Sequence, residues 1–253
     1  MKTNTTKAKL AAGGTVHGAF FRTPDTSLIE LQGFLGWDFL VLDGEHGTLQ
    51  ARDIEDQARA CELRGLTAIA RVTTNDAPTI LRFMDTGAQG AHIPFINTVD
   101  DAERAVQAIK YHPRGQRGLA GIRAAEFGRG APLSDYVRAA NAETLVVAQI
   151  ETGQAIGQLS EIAKVDGVDV VFIGPNDLAH SLGHAGHIGH PEVQDAMRRI
   201  ADIVLACGKV LGLMVYDSAG ARLWRERGAR YITVPFESVL CPAVKQYLEV
   251  ARS

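Results

Sequence analysis

Residues 41–47 read VLDGEHG, so an apolar run delivers Asp43, Glu45 and His46 in quick succession. Other apolar runs end on polar residues too. TAIAR ends in Arg71, LVVAQIE carries Gln149 and Glu151, and VDVVFI leads into Gly174-Pro175-Asn176-Asp177. Asp85 follows in FMDTG, before the glycine that turns the chain toward another run. These types suit one kind of chemistry. Two carboxylates, Glu151 and Asp177, can hold a divalent cation while leaving positions for water and substrate. Oxygen ligands favour Mg2+ or Mn2+, with softer Co2+ also admissible. Such an ion chelates a 2-oxo acid and polarises its carbonyl. Arg71 is a permanent cation suited to an enolate oxygen or a carboxylate. His46, with an imidazole pKa near 6.5 in the unperturbed state, suits a general base, and a neighbouring carboxylate would raise its basicity. Each residue also has a plainer use. Glu151 and Asp177 could cap following helices, Arg71 could pair beside the structure, and His46 could be structural.

The elements that must position these residues have a rhythm. Short Val-, Ile- and Phe-rich runs occupy 14–20, 38–43, 67–72, 90–95, 145–151, 168–174, 210–216 and 230–235. Nearly continuous hydrophobicity of this length marks strands buried on both faces of a parallel sheet. Helical patterns lie between them. Asn75-Asp76-Ala77-Pro78 opens one with a capping residue and an early proline. Thr98 to Asp101 resembles a capping box, a helix over 191–207 stops at Gly208, and the last helix covers about 240–251. Eightfold strand–helix alternation in 253 residues predicts an α/β fold, a (β/α)8 TIM barrel forming one domain over 1–253, with residues 1–10 a flexible tail. A doubly wound sheet is the rival, but no G-x-G-x-x-G follows the first strand.

Composition narrows the functional classes. The chain is 46% hydrophobic and 22% charged with a formal net charge of −3, which argues against nucleic acid as a partner and offers no basic patch for a membrane surface. No apolar stretch is long enough to cross a bilayer, and the glycine-broken N-terminus makes a poor signal peptide. Cys61, Cys207 and Cys241 lie far apart without a C-x-x-C pair, so a reducing compartment, the cytoplasm, is expected. The 111–144 connection, with Arg114, Arg117, Arg123 and Arg129 among its glycines, reads either as a functional loop or as a solvated excursion containing a short helix near 132–140. His184, His187 and His190, in LGHAGHIGHP, invite a metal-site reading. The run is too rich in glycine for a helix that would align them, so a loop of solvated or substrate-facing histidines is favoured. The strand-like runs carry no lysine, which disfavours a Schiff base.

The stretches DFLVLDGEHG, ARVTTNDAPTILRFMDTGAQGAHIPFINT, YHPRGQRG, VAQIETGQAI and GVDVVFIGPNDLAHSLGHAG, followed by HPEVQ, occur in an order and spacing that resembles the HpcH/HpaI family of metal-dependent (class II) pyruvate aldolases. The resemblance spans essentially the whole chain and implies a barrel of the phosphoenolpyruvate/pyruvate type. It implies cleavage of a 4-hydroxy-2-oxo acid to pyruvate and an aldehyde through a metal-bound enolate, in the catabolism of aromatic compounds or sugar acids. By the same resemblance His46 is the base, Asp85 raises its basicity, Asp43 helps to orient it, and Arg71 stabilises the enolate. Glu151 and Asp177 are the metal ligands. Gln149, Asn176 and Asp177, in the loop that holds Gly174 and Pro175, bind pyruvate. The resemblance also implies a hexamer, a trimer of dimers with the last helix exchanged. Tyr216, Phe236 and Glu237 depart from the family pattern and are expected to narrow or polarise the mouth, leaving the aldehyde half of the substrate open. Two other readings stand beside this one: a lyase acting on a CoA thioester, for which no extra nucleotide-binding region is evident, and a non-catalytic barrel that binds a 2-oxo acid and metal.

Overall fold

A computed structural model describes residues 1–253. Eight parallel strands, β1 (Val16–Phe21), β2 (Phe39–Asp43), β3 (Thr67–Arg71), β4 (Gly90–Ile93), β5 (Leu145–Ile150), β6 (Val170–Ile173), β7 (Val210–Met214) and β8 (Tyr231–Pro235), close into a barrel in sequence order. All eight apolar runs are strands, seven of them trimmed by one to three residues at their ends and the first starting two residues later and ending one later than the run. The helices are α1 (Thr5–Ala11), α2 (Thr26–Leu35), α3 (Ala51–Arg64), α4 (Ala77–Met84), α5 (Val99–Ile109), α6 (Leu133–Glu143), α7 (Gly153–Ile156), α8 (Leu159–Lys164), α9 (Pro175–Ser181), α10 (Pro191–Ala206), α11 (Ser218–Glu226) and α12 (Phe236–Arg252). The expected caps form: the Asp76 side chain accepts from Thr79 N–H, and Thr98 and Asp101 make a capping box.

Strand alternation sorts the residues into two cores. Phe39 and Val41 of β2, Ile69 of β3, Leu145 and Val147 of β5, and Val170 and Phe172 of β6 fill the barrel interior. Their neighbours Leu40, Leu42, Ala68, Ala70, Val146, Ala148 and Val171 face the helices. The interior is crowded: a Cβ on Gly18 would lie 2.5 Å from the Phe39 ring, which stacks on Tyr231 at 4.3 Å. A side-chain period of two has a direct consequence for the site. Continuing each strand places Asp43, Arg71, Gln149 and Glu151 on the inside at the C-terminal end.

The N-terminal end is closed by α1, so residues 1–10 are not a flexible tail. The Asn4 side chain donates to the carbonyls of Gln89 and Glu143, both at 3.0 Å. Thr6 donates to Thr67 Oγ1 at 2.9 Å, and Leu10 enters the interior core. The helix packs because its polar side chains meet strand-end oxygens with a lone pair to spare, as on Gln89 O, which already accepts from Leu145 N–H.

The 111–144 connection is anchored, not a free excursion. Arg117 pairs with Asp85 and lies over the Tyr111 ring, 4.7 Å from its centroid. Arg123 bonds Thr86 O and pairs with Glu62. The short helix expected near 132–140 is α6. By contrast, α12 starts four residues before the expected 240 and buries none of its side chains. Val239, Leu240, Val244, Tyr247 and Val250 are all exposed along it. No helix is long and apolar enough to cross a membrane.

Candidate active site

The C-terminal mouth is organised around Asp43. Its carboxylate is wholly buried and accepts from Arg71 Nε at 2.8 Å and Arg71 Nη2 at 2.6 Å. Arg22, two residues beyond Phe20 of β1, donates from Nε at 3.0 Å. The backbone N–H groups of Glu45 and His46 donate to Oδ1 at 3.2 and 3.1 Å. Burial alone would raise the Asp43 pKa, but Arg71, the His46 N–H and Arg22 outweigh it and hold the group below its ordinary value. Asp43 thus fixes the loop that carries His46 through its backbone. The His46 side chain itself is exposed at the mouth. Gly44 is required in this turn, because a Cβ would lie 2.4 Å from the Phe83 ring.

Glu151 is gripped from two sides. Gln149 donates from Nε2 to Oε2 at 2.5 Å, and Phe95 N–H donates to Oε1 at 2.8 Å. Phe95 has φ of 52°, a left-handed backbone in a bulky non-glycine residue. Such a conformation costs about 1–3 kcal/mol, and here it turns the N–H onto the carboxylate. Gln149 in turn accepts from His92 Nδ1 at 3.1 Å. Since its amide nitrogen is engaged by Glu151, its oxygen faces the ring, which makes His92 the Nδ1–H tautomer. Burial pushes the His92 pKa down to about 3, so the ring is neutral.

Charge at the mouth is unbalanced. Glu45 and Glu151 are both pushed up to about 7. For Glu45 burial comes first, opposed by Arg71 and reinforced by Glu151, Asp43 and Asp177. For Glu151 burial again leads, with Gln149 and Phe95 N–H opposing and Asp177 adding. Glu45 Oε2 sits 3.0 Å from Arg71 Nη1 yet makes no hydrogen bond. Glycine at 174 leaves room for this group of carboxylates, since a Cβ there would lie 2.7 Å from Glu151 Oε2. Buried carboxylates that repel one another, one with an orphaned oxygen, and all hard oxygen donors fit a divalent cation. Glu151 and Asp177 would hold it, with Glu45 facing the same space.

The expected residues do not all meet. Asp43, Arg71, Gln149, Glu151 and the Gly174–Asp177 loop converge, with Pro175 buried and Asn176 exposed. Asp85 does not join them. It caps the C-terminus of α4, at the N-terminal end of the barrel, and its partner is Arg117 at 2.7 Å. Within one chain it therefore cannot raise the basicity of His46. Phe236 does not narrow the mouth either, because it stacks on the outward-facing Phe21 at 4.6 Å. Tyr216 does lie there, close enough to Asn176, Arg22 and Asp177 for each to act on its hydroxyl, and Glu237 reaches to 3.9 Å from Arg22. Glu45 and Arg22 had no role assigned from sequence. Alternation was the available signal: each lies two residues past an inward-facing position, Asp43 and Phe20. Lys7, Lys9, Lys110 and Lys209 all sit at the opposite end, bonded to Thr144, Asp38, Asn141 and Val168 respectively, so no amine of the barrel body faces the mouth.

Comparison with known proteins agrees with this geometry. Residues 17–243 match the family model described as HpcH/HpaI aldolase/citrate lyase. A 5-keto-4-deoxy-D-glucarate aldolase from Shigella boydii is 36% identical over 232 residues, covering 91% of this chain and 89% of that protein. A hydroxypyruvate/pyruvate aldolase from Sagittula stellata is 36% identical over 238 residues, covering 94% and 93%. The crystal structure of a family protein from Burkholderia cenocepacia superposes with a TM-score of 0.93 at 36% identity, over 99% of this chain and 100% of that one. With its barrel, its carboxylate-lined mouth and these relatives, the chain belongs to the HpcH/HpaI aldolase/citrate lyase family, whose aldolases depend on a divalent metal.

Proposed function

We propose that this aldolase cleaves a 4-hydroxy-2-oxo acid to pyruvate and an aldehyde, with Glu151 and Asp177 holding Mg2+ or Mn2+. The observation that carries the reading is the pair of carboxylates Glu45 and Glu151 beside the Arg71 guanidinium at the strand ends, with Asp177 close enough to act on both. The bound cation supplies Lewis acidity to the 2-oxo group. Arg71, held flat by the Asp43 fork, presents its remaining Nη1 to negative charge developing on the same oxygen. Gln149, Gly174, Pro175 and Asn176 line the floor on which the pyruvate half rests. His46, exposed above it, takes the proton from the C4 hydroxyl as the C3–C4 bond breaks. The aldehyde leaves through the mouth past Tyr216, and C3 regains a proton before pyruvate departs.

The likeness to a 5-keto-4-deoxy-D-glucarate aldolase suits this chemistry. Read from its keto-acid end, that sugar acid is itself a 4-hydroxy-2-oxo acid. The test is release, by coupled assay, of pyruvate from a panel of 4-hydroxy-2-oxo acids that includes it, and of hydroxypyruvate from the corresponding 3,4-dihydroxy-2-oxo acids. Release should require Mg2+ or Mn2+ and vanish on chelation. Absence of metal-dependent release from every member would favour a barrel that binds without turnover.

We further infer that copies of the chain exchange α12, as a hexamer of this family would. A cavity of about 610 Å³ opens over the outer faces of β1 and β8, lined by His17, Ile232 and Val234 and by Trp37 from the turn before β2. This is the slot in which an eighth helix ordinarily packs, while α12 carries an unpartnered apolar face. Light scattering should return a multiple of the 27.2 kDa chain, and a Tyr247→Asp, Val250→Asp variant should shift it toward monomer. The free thiols of Cys61, Cys207 and Cys241 suit a cytoplasmic setting.

A further inference from the structure

The connection from α9 to α10 carries a cluster that aldol chemistry does not use. One ligand atom each from His184, His190 and Glu192 lies within 4.8 Å of the other two. His184 Nε2 is 2.8 Å from Glu192 Oε2. The imidazoles of His184 and His190 stack face to face, with centroids 3.6 Å apart and planes 16° from parallel. No helix crosses this glycine-rich run, and it is the loop that brings His184 and His190 together. Gly183 and Gly186 adopt left-handed conformations, with φ of 83° and 78°, and successive turns join His184 N to Ala179 O, His187 N to His184 O, and His190 N to His187 O. The chain thereby reverses, and residues six apart meet. Pro191 then starts α10 and sets Glu192 in its first turn, against both rings. His187 is not part of the cluster.

We propose that His184, His190 and Glu192 form a second metal site, selective for a borderline transition ion such as Zn2+, Ni2+ or Cu2+. Two imidazole nitrogens and one carboxylate oxygen match the preference of these ions, whereas the oxygen-only mouth suits Mg2+ or Mn2+. The two centres therefore sort metals by ligand softness. Access is open, since the side chain of Glu192 is 61% exposed and that of His184 23%. Little opposes ligation. The rings turn from a parallel stack so that their in-plane lone pairs converge. The α10 cap contact given up, Glu192 N–H to His190 Nδ1, is long at 3.3 Å, against 2.9 and 3.0 Å for the caps at Asn4 and Asp25. A bound ion joins the end of α9 to the start of α10. Because α9 begins beside Asp177, the ion braces the helix that carries a ligand of the mouth.

Copper EPR on the full-length protein, saturated with Mg2+, tests this without reference to turnover. One equivalent of Cu2+ should give a spectrum with nitrogen hyperfine structure. His184→Ala and His190→Ala should each weaken Cu2+ binding at least about tenfold, since even supporting contacts of a metal site are worth 10–100-fold. Zn2+ should raise the Tm of the Mg2+-saturated wild type and not that of the double variant. Mg2+-supported pyruvate release should be the same in the wild type, the two single variants and the double variant. An oxygen-only copper spectrum, or Cu2+ affinity equal in wild type and double variant, would overturn the proposal.

Discussion

Both ends of the barrel bury polar groups, and they treat them differently. At the N-terminal end the Lys110 ammonium is buried, with its pKa pushed down to about 7 by burial foremost, yet it reaches Asn141 O at 3.0 Å and Thr144 O at 2.7 Å. Asn4 and Thr6 are likewise fully engaged with strand-end atoms. At the C-terminal end Arg71 and Asp43 satisfy each other, but Glu45 and Glu151 are left in mutual repulsion and one carboxylate oxygen has no donor. A satisfied polar group holds a fold together. A buried charge left over is stable only with something absent from the chain, and it marks where a ligand belongs.

Arg71→Ala should give the largest effect, because it removes the buried cation that compensates the mouth. Asp43 would keep only the partly exposed Arg22. Breaking a buried pair from one side costs about 3–5 kcal/mol, and losing a preorganised charge at the reacting oxygen lowers kcat about 10³-fold. Urea unfolding and the pyruvate assay read the two losses separately. Arg71→Lys keeps the charge without the fork, so it should regain stability more than rate. An Arg71→Ala protein as stable as wild type would show that the two ends do not differ as described.

His46→Ala separates chemistry from architecture at the same end. The imidazole is exposed and only its backbone N–H is bound to Asp43. Turnover should fall about 10²-fold, the lower range for an acid–base group that water can partly replace. Unfolding free energy should not change, and metal affinity should hold. A loss of stability would mean that His46 belongs to the scaffold.

The contrast also explains what the sequence disclosed. Strand-length apolar runs show a barrel because both faces of each strand are buried, and alternation alone aims Asp43, Arg71, Gln149 and Glu151 inward. Asp85 shows where that reasoning stops. Its place in FMDTG looks like a site position, but helices run against the strands, so the end of α4 lies at the opposite rim beside Arg117. The plug formed by α1 was also invisible, since Asn4, Thr6 and Lys7 look like an ordinary polar terminus until their acceptors, carbonyls far away in sequence, are in place. The meeting of His184 and His190 depends on turn geometry at two glycines and has no periodic signal.

Stability against pH gives a smaller effect with a definite sign. The folded pKa values of Glu45 and Glu151, about 7, exceed the carboxyl value of 4.5 from which they are raised. The native state then holds these protons more tightly than the unfolded chain. Their contribution is fully present below about pH 4.5 and lost as pH rises through about 7. The Tm of metal-free protein should carry this fall across that window, and saturating Mg2+ should reduce it. Glu45→Gln should flatten the metal-free profile. An unchanged profile would place the surplus charge elsewhere.

Asn4→Ala makes the corresponding test at the closed end, where the expected effect is smallest and purely structural. The side chain caps α1 through Lys7 N–H at 2.9 Å and donates to two carbonyls that flank β4 and β5. Losing such a cap costs about 0.5–2 kcal/mol, and the carbonyls of Gln89 and Glu143 regain water only if the plug loosens. Unfolding free energy should therefore drop by about 1–2 kcal/mol, while kcat and Mg2+ affinity remain at wild-type values. Because the interior between the ends is packed by Phe20, Phe172, Tyr231 and His92, a local loosening below has no open route to the mouth. A change in metal affinity in this variant would show instead that the aromatic layer transmits strain, and that the two ends are one coupled unit.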